Sequence, residues 1–171
     1  CGGAHYWHRT LTELGHTVRI MAPAFVKPYL KSNKNDRNDA EAICEAVQRP
    51  SMRFVAPKSP EQQAVLHLHH ARQQLVRQRV AVSNHIRGVL AEYGICLPQG
   101  AKLFSQRLPA LLEDAENALP MLTRHLLAEL KAEHDGLIER AQCLEAQLKA
   151  WHATSERSQQ LEGIPGIGML T

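Results

Sequence analysis

Aromatic residues make up only 5% of this sequence. A β-sandwich core leans on them, so their scarcity, beside a body rich in Leu, Ala, Glu, Arg and Gln, points to long helices. Cysteine is sparse too. Cys1, Cys44, Cys96 and Cys143 are scattered with no C-x-x-C pair, which reads as free thiols in a reducing cytosol rather than as disulfides or a zinc site. No run approaches the ~18–20 apolar residues of a membrane span, and no signal peptide is evident. G-x-S-x-G, P-loop and Rossmann fingerprints are all missing. Acidic residues are absent between Gln62 and Ala91.

What is present suffices for a core: 44% of the 171 residues are apolar, and the net charge is +3 with ten histidines uncounted. That mild basicity permits nucleic acid as a partner without demanding it. The chain opens at Cys1 rather than Met and stops inside G-I-P-G-I-G-M-L-T. We therefore expect an internal piece of a longer protein.

Along the chain, residues 3–14 place Tyr6 or Trp7, Leu11 and Leu14 on one helical face, and Gly15 supplies a left-handed stop. Thr17–Met21 alternates, with Val18 and Ile20 inward and Arg19 outward, as a short strand does. Pro28 forbids a regular helix in A-F-V-K-P-Y-L-K. A helix runs from the N-K-N-D-R-N-D stretch to about Val47, and Met52–Val55 forms another short strand. Beyond Ser59 the texture changes. Leu68, Leu75, Val82 and Val89 recur every seven residues, with Ile86 beside them, in one helix from Pro60 to Tyr93. After a Pro/Gly break and a short helix at 105–114, Leu130, Leu137, Leu144 and Trp151 repeat the spacing, supported by Leu127, Ala141 and Leu148. Two such helices predict an antiparallel coiled-coil pair of ~50 Å.

Four features carry candidate chemistry. Asp36 and Asp39, at i and i+3, share one helical face with Cβ atoms ~5–6 Å apart. Such a pair suits Mg²⁺ or Mn²⁺, which take one or two carboxylates together with phosphate oxygens. Spacing alone favours a capped first turn, with Asp36 as the cap and Asp39 answering the helix dipole. Lys31, Lys34 and Arg37 nearby either hold phosphates or offset the acids. Secondly, G-I-P-G-I-G (163–168) has the form of a helix-hairpin-helix turn, whose Gly166 and Gly168 admit a phosphate close to the backbone. Thirdly, Arg72, Arg77, Arg79 and Arg87, with Gln73 and Asn84, form a basic track along the first long helix. Finally, His5 and His8, and His67, His69 and His70, cluster, but a zinc site needs three or four convergent ligands, and no partner set matches either group.

The strings C-G-G-A-H-Y-W (1–7), F-V-K-P-Y-L-K-S-N-K-N-D-R-N-D-A-E-A-I (25–43), R-F-V-A-P-K-S-P-E-Q-Q (53–63), I-R-G-V-L-A-E-Y-G-I (86–95) and I-P-G-I-G (164–168) resemble the DEDD transposases of bacterial insertion sequences, relatives of the Piv and MooV DNA invertases. The resemblance implies four acids, Asp, Glu, Asp and Asp, binding a divalent metal in an RNase H-like domain. Asp36 and Asp39 match the third and fourth, and the first two would lie upstream of Cys1. It also implies a serine nucleophile beyond Thr171, DNA element ends and target as partners, and a bacterial cytoplasmic setting. It admits a structured guide RNA.

On that basis we expect an α/β piece followed by a mainly α region. Residues 1–57 would be the C-terminal half of the RNase H-like domain. Residues 58–155 would be a coiled-coil insertion that also joins copies of the chain, and residues 156–171 the start of a helix-hairpin-helix-containing domain. The function expected is metal-dependent DNA cleavage and strand transfer, with this piece inactive alone. The alternatives are a non-catalytic helical nucleic-acid-binding or adaptor module, in which the aspartates only stabilise a helix end, and a metal-dependent nuclease or resolvase needing no serine.

Overall fold

The computed structural model describes residues 2–31 and 35–170. The chain divides into two compact units, Cys1–Gln63 and Ala64–Thr171, and it is mainly helical.

In the first unit, α1 (Ala4–Glu13) ends at Gly15, whose φ of 89° is the left-handed stop expected there. Strand β1 (Ile20–Met21) follows, with Val18 and Ile20 half-buried and Arg19 outward. A single turn, α2 (Pro23–Val26), runs into a 3₁₀ turn at Lys27–Tyr29, so Pro28 does break the segment. Helix α3 (Asp36–Val47) buries Ala42 and Ala46. These small side chains let α2 and the 3₁₀ turn come close to it. Strand β2 (Phe54–Val55) pairs antiparallel with β1, Ile20 opposite Val55 and Met21 opposite Phe54. Both strands are shorter than the alternating pattern suggests, because only these residues find a partner. Arg19 then lies over the Phe54 ring at 4.8 Å.

Two side chains sew α1 to the segment after β2. Arg9 Nη1 donates to the Lys58 carbonyl (3.2 Å) and to Gln63 Oε1 (2.6 Å), and His5 Nδ1 accepts from the Lys58 amide (3.2 Å). The apolar face expected of α1 is mostly uncovered, however: Tyr6, Trp7 and Leu14 are exposed.

In the second unit, the body of α4 (Pro60–Ala91) packs on α6 (Met121–Thr154), with α5 (Ala101–Glu113) laid against one end. The start of α4 is a reciprocal capping box. Ser59 Oγ accepts from the Gln62 amide and Gln62 Oε1 from the Ser59 amide, while Pro60 fills the first helical position. The long helices run antiparallel. Arg72 pairs with Glu145 (2.7 Å) and Tyr93 meets Thr123 (2.9 Å), so residue numbers rise on one helix as they fall on the other. One cluster joins Ile86, Leu90, Phe104, Leu108, Leu119 and Leu127; a second joins Leu75, Leu137 and Ala141. On α6 the buried residues are Leu127, His134, Leu137, Ala141 and Leu148, all but Leu137 recurring every seven, and His134 is the member that an apolar pattern could not supply.

Helix α5 starts four residues before the expected 105 and carries Pro109 inside it. Its exit is held by Arg124. That guanidinium donates to the carbonyls of Leu112 (2.9 Å), Asp114 (2.7 Å), Asn117 (3.2 Å) and Leu119 (3.2 Å), and to Asn117 Oδ1. The last helix, α7 (Glu156–Glu162), is capped by Ser155. It is pinned to the end of α6 by His152, which bonds Ser158 Oγ (2.8 Å) and Glu162 Oε2 (2.9 Å). No helix among the described residues is long and apolar enough to cross a membrane.

Leu127 is fully buried, so Leu127→Ala should cost about 2–5 kcal/mol in chemical denaturation. Arg124→Met, which strands four loop carbonyls, should cost about 2–4 kcal/mol by the same measurement.

Partial burial, then the Lys58 and Arg9 cations, hold His5 below the usual histidine range, and burial, then Arg72, does the same to His69. The unfolded chain therefore binds more protons than the folded one just below the ordinary value of about 6.5, and stability falls as pH drops through it. Denaturation midpoints at pH 7.5 and 5.5 should differ in that direction, and the double variant His5→Asn, His69→Asn should narrow the gap.

Candidate metal and nucleic-acid site

The helix that carries the two aspartates begins one residue earlier than its acids suggest. Asn35, in extended conformation, is the N-cap, and its Oδ1 accepts from the Asn38 amide at 2.8 Å. Asp36 is thus the first helical residue and Asp39 the fourth. This corrects the expectation of Asp36 as the cap: an amide side chain takes that role and leaves both carboxylates outside it. Among the described residues neither carboxylate has a hydrogen-bond or ion-pair partner. The helix dipole favours both charges where they stand, without consuming their lone pairs.

The two differ in setting. Asp36 is exposed and Asp39 half-buried. Asp39 lines a cleft of about 630 Å³ whose walls are largely apolar: Trp7, Val18, Ile20, Met21, Val26, Leu30 and Ile43, with His8, Arg19 and Lys27 as its other polar members. Asp36 is not among the lining residues. Residues of α1, β1 and α2 line it, and α3 contributes Asp39 and Ile43. Two uncommitted carboxylates on one helical face suit a hard divalent cation that completes its shell with water and phosphate oxygens. They do not close a site alone, and no group of three His, Cys, Asp or Glu side chains that could hold a metal occurs among the described residues.

The cations around the acids are unequal. Lys31 is engaged with Glu41 at 3.3 Å, both side chains being exposed, while Arg37 is exposed. Lys34 lies outside the described residues. The basic track on α4 is divided as well. Arg72 is committed to Glu145 across the helix pair. Arg77 faces solvent, and Arg79 and Arg87 line a smaller cleft beside α5. The sevenfold register accounts for this: Arg72 and Arg79 lie fourteen and seven residues before the buried Ile86, on the edge of the seam.

The glycine motif near the chain's end forms a tight turn. The Ile167 amide donates to the Ile164 carbonyl at 3.0 Å, Pro165 occupies the second position and Gly166, at φ 88°, the third. That is the position where a type II turn needs glycine. Gly168 follows, and Ile164 and Ile167 are exposed. Of the histidines, His5 is accounted for by its bond to Lys58. His134 is the residue that sequence reasoning missed; its signal was the interrupted sevenfold spacing from Leu127 to Ala141.

The family model for IS110-type DEDD proteins, described as "Transposase", matches residues 2–95, more than half of the chain. A "Probable family 20 transposase" of Pseudomonas aeruginosa is 48% identical over 100% of this chain and 51% of its own length. The "Transposase for insertion sequence element IS1328" of Yersinia enterocolitica is 44% identical over 100% of this chain and 50% of its own. The "Transposase for insertion sequence element IS1111A" of Coxiella burnetii is 44% identical over 100% and 47%. No solved structure matches. The chain spans about half the length of these curated relatives. It belongs to the family of IS110-type DEDD transposases.

Proposed function

We propose that this chain is the acid-bearing part of an insertion-element transposase that cleaves and rejoins DNA strands. Residues 1–57 serve as the second half of an RNase H-like catalytic domain, 58–155 as a coiled-coil insertion that joins protomers and touches nucleic acid, and 156–171 as the opening of a helix-hairpin-helix-containing domain. The observation that carries the reading is the freedom of Asp36 and Asp39. Asn35 caps their helix, so two carboxylates stand in its first turn with no hydrogen-bond or ion-pair partner among the described residues.

In the intact protein these two acids are half of a four-acid set for Mg²⁺ or Mn²⁺. Such an ion, when bound, supplies charge stabilisation at the phosphodiester under attack. Asp39, half-buried among largely apolar cleft residues, holds its share of the set where its charge acts more strongly than in water, and Asp36 stands exposed beside it. Arg37 and Lys34 neighbour the acids in sequence and screen the approach of a polyanion. The nucleophile is a serine outside residues 1–171. Element ends and target DNA are the substrates, and a guide RNA is compatible with the basic surface of α4.

A second reading, a helical adaptor, draws on the exposed Met121, Leu122 and Leu126 at the start of α6, which offer an apolar patch for association. Asp36→Asn and Asp39→Asn separate the readings. Asn tolerates a helix N-terminus, so unfolding free energy should change by less than about 1 kcal/mol. In the full-length transposase, strand transfer on element-end DNA with Mg²⁺ should fall by more than about a hundredfold, since even outer partners of a metal cost 10–100-fold. Undiminished strand transfer would favour the adaptor. Residues 1–171 alone should give none, and robust activity from them would overturn the assignment.

A further inference from the structure

The second unit holds a polar cleft that the acids do not touch. Its volume is about 170 Å³, far above the ~10–15 Å³ that a single water needs. Arg79, Arg87 and His134 line it, together with Gly100 and Ala101 at the mouth of α5. The α4–α6 seam supplies one wall and the first turn of α5 another.

Three features equip this cleft for an anion: unpaired cations, helix amides and a histidine ring. Neither Arg79 nor Arg87 forms an ion pair among the described residues. The Arg87 guanidinium lies over the Phe104 ring at 5.0 Å, and its Nη1 donates to Ser83 Oγ and Asn84 Oδ1, both neutral acceptors at 3.3 Å. Its Nε is buried with no partner. A partly buried cation with no counter-charge and an orphan donor is costly as it stands. Next, α5 begins at Gly100 with no side-chain cap and no acid in its first turn, while Lys102 sits within that turn. The first amides of this 13-residue helix therefore take no bond from a capping side chain, and Gly100 and Ala101 line the cleft; such a helix start favours an anion. Finally, His134, only 3% exposed, lines the floor.

The acid nearest to His134 is already committed. Burial works against the Asp135 charge, but hydrogen bonds from Lys131 (2.6 Å) and His134 (3.3 Å) outweigh it and hold the carboxyl below its ordinary range. It is not among the cleft's lining residues.

We infer that this cleft is a phosphate-binding site, built from Arg79, Arg87, His134 and the N-terminus of α5. Two guanidinium groups and a row of backbone amides match the several acceptor oxygens of a phosphate better than a carboxylate does. Its geometry is independent of Asp36 and Asp39, so it stands whether or not those residues bind metal. The phosphate comes either from a nucleic-acid backbone or from a free phosphate species, and the experiment below tells them apart.

The test uses residues 1–171, titrated separately with inorganic phosphate and with a short DNA duplex, and followed by amide NMR and calorimetry. Inorganic phosphate should move the Ala101 and Lys102 amides. Arg79→Gln should weaken its binding about tenfold, the value of one charge-assisted hydrogen bond, while Asp36→Asn should leave it unchanged. Arg87→Gln should do the same as Arg79→Gln if its loss of contact with Phe104 leaves the fold intact; Arg79, away from that ring, keeps the test decisive if it does not. If the duplex moves the same amides and phosphate displaces it, the source is the backbone. If phosphate alone binds there, the site serves a free phosphate species. Amides at 101–102 that stay put at tens of millimolar phosphate, or Arg79→Gln binding phosphate as the wild type does, would overturn the inference.

Discussion

A helix of 34 residues cannot hold itself in water by backbone hydrogen bonds alone; most helical stability in a protein comes from burying one face. The second unit is organised around that constraint. Helices α4 and α6 share a narrow apolar seam, fixed in antiparallel register by Arg72 with Glu145 toward one end and Tyr93 with Thr123 at the other. One end of the seam would be open without α5, whose Phe104 and Leu108 are 1% exposed and close it. Arg124 holds α5 there through the carbonyls of its exit loop. The uncapped start of α5 beside Arg79 and Arg87 follows from that placement.

The seam explains how the basic residues of α4 are sorted. A helix offers only a limited arc to solvent, and the sevenfold rows that bury Leu75 and Ile86 also carry Arg72 and Arg79 to the edge of the interface. An arginine at such an edge lays its stem on apolar surface and needs something for its head. Arg72 finds Glu145. Arg79 and Arg87 find a cleft with no acid in its walls. A run of positive charge that looks uniform in sequence becomes one structural pair, one solvated side chain at Arg77, and two that are left to meet an anion.

Much of this was legible beforehand, and the parts that were not have physical reasons. The sevenfold apolar spacing marks both long helices and sets the end of the first within two residues, Tyr93 against the observed Ala91, because a periodic burial signal repeated over four or more turns is hard to mistake. His134 was invisible to that reading. A polar residue in an apolar series is discounted by any hydrophobic count, although its position seven after Leu127 and seven before Ala141 was on the page. The alternation around Val18 and Phe54 was readable too, but the length of the ladder was not: two paired residues per strand are set by the partner, and sequence carries no record of which residues find one. At α3 the error was one residue. Asn35 and Asp36 are both good caps, and only the chain's extended entry at Asn35 decides between them.

That one-residue difference bears most heavily on function. Were Asp36 the cap, its carboxylate would be spent on main-chain amides, and the pair would reduce to one available acid beside a structural one. With Asn35 as the cap, helix α3 presents two acids whose charge its dipole favours and whose oxygens nothing among the described residues occupies. The dipole offsets part of the repulsion between two like charges three residues apart, and no hydrogen bond or ion pair among the described residues offsets the rest. A cation shared between them would remove that repulsion, which is the physical ground on which the proposed metal role rests.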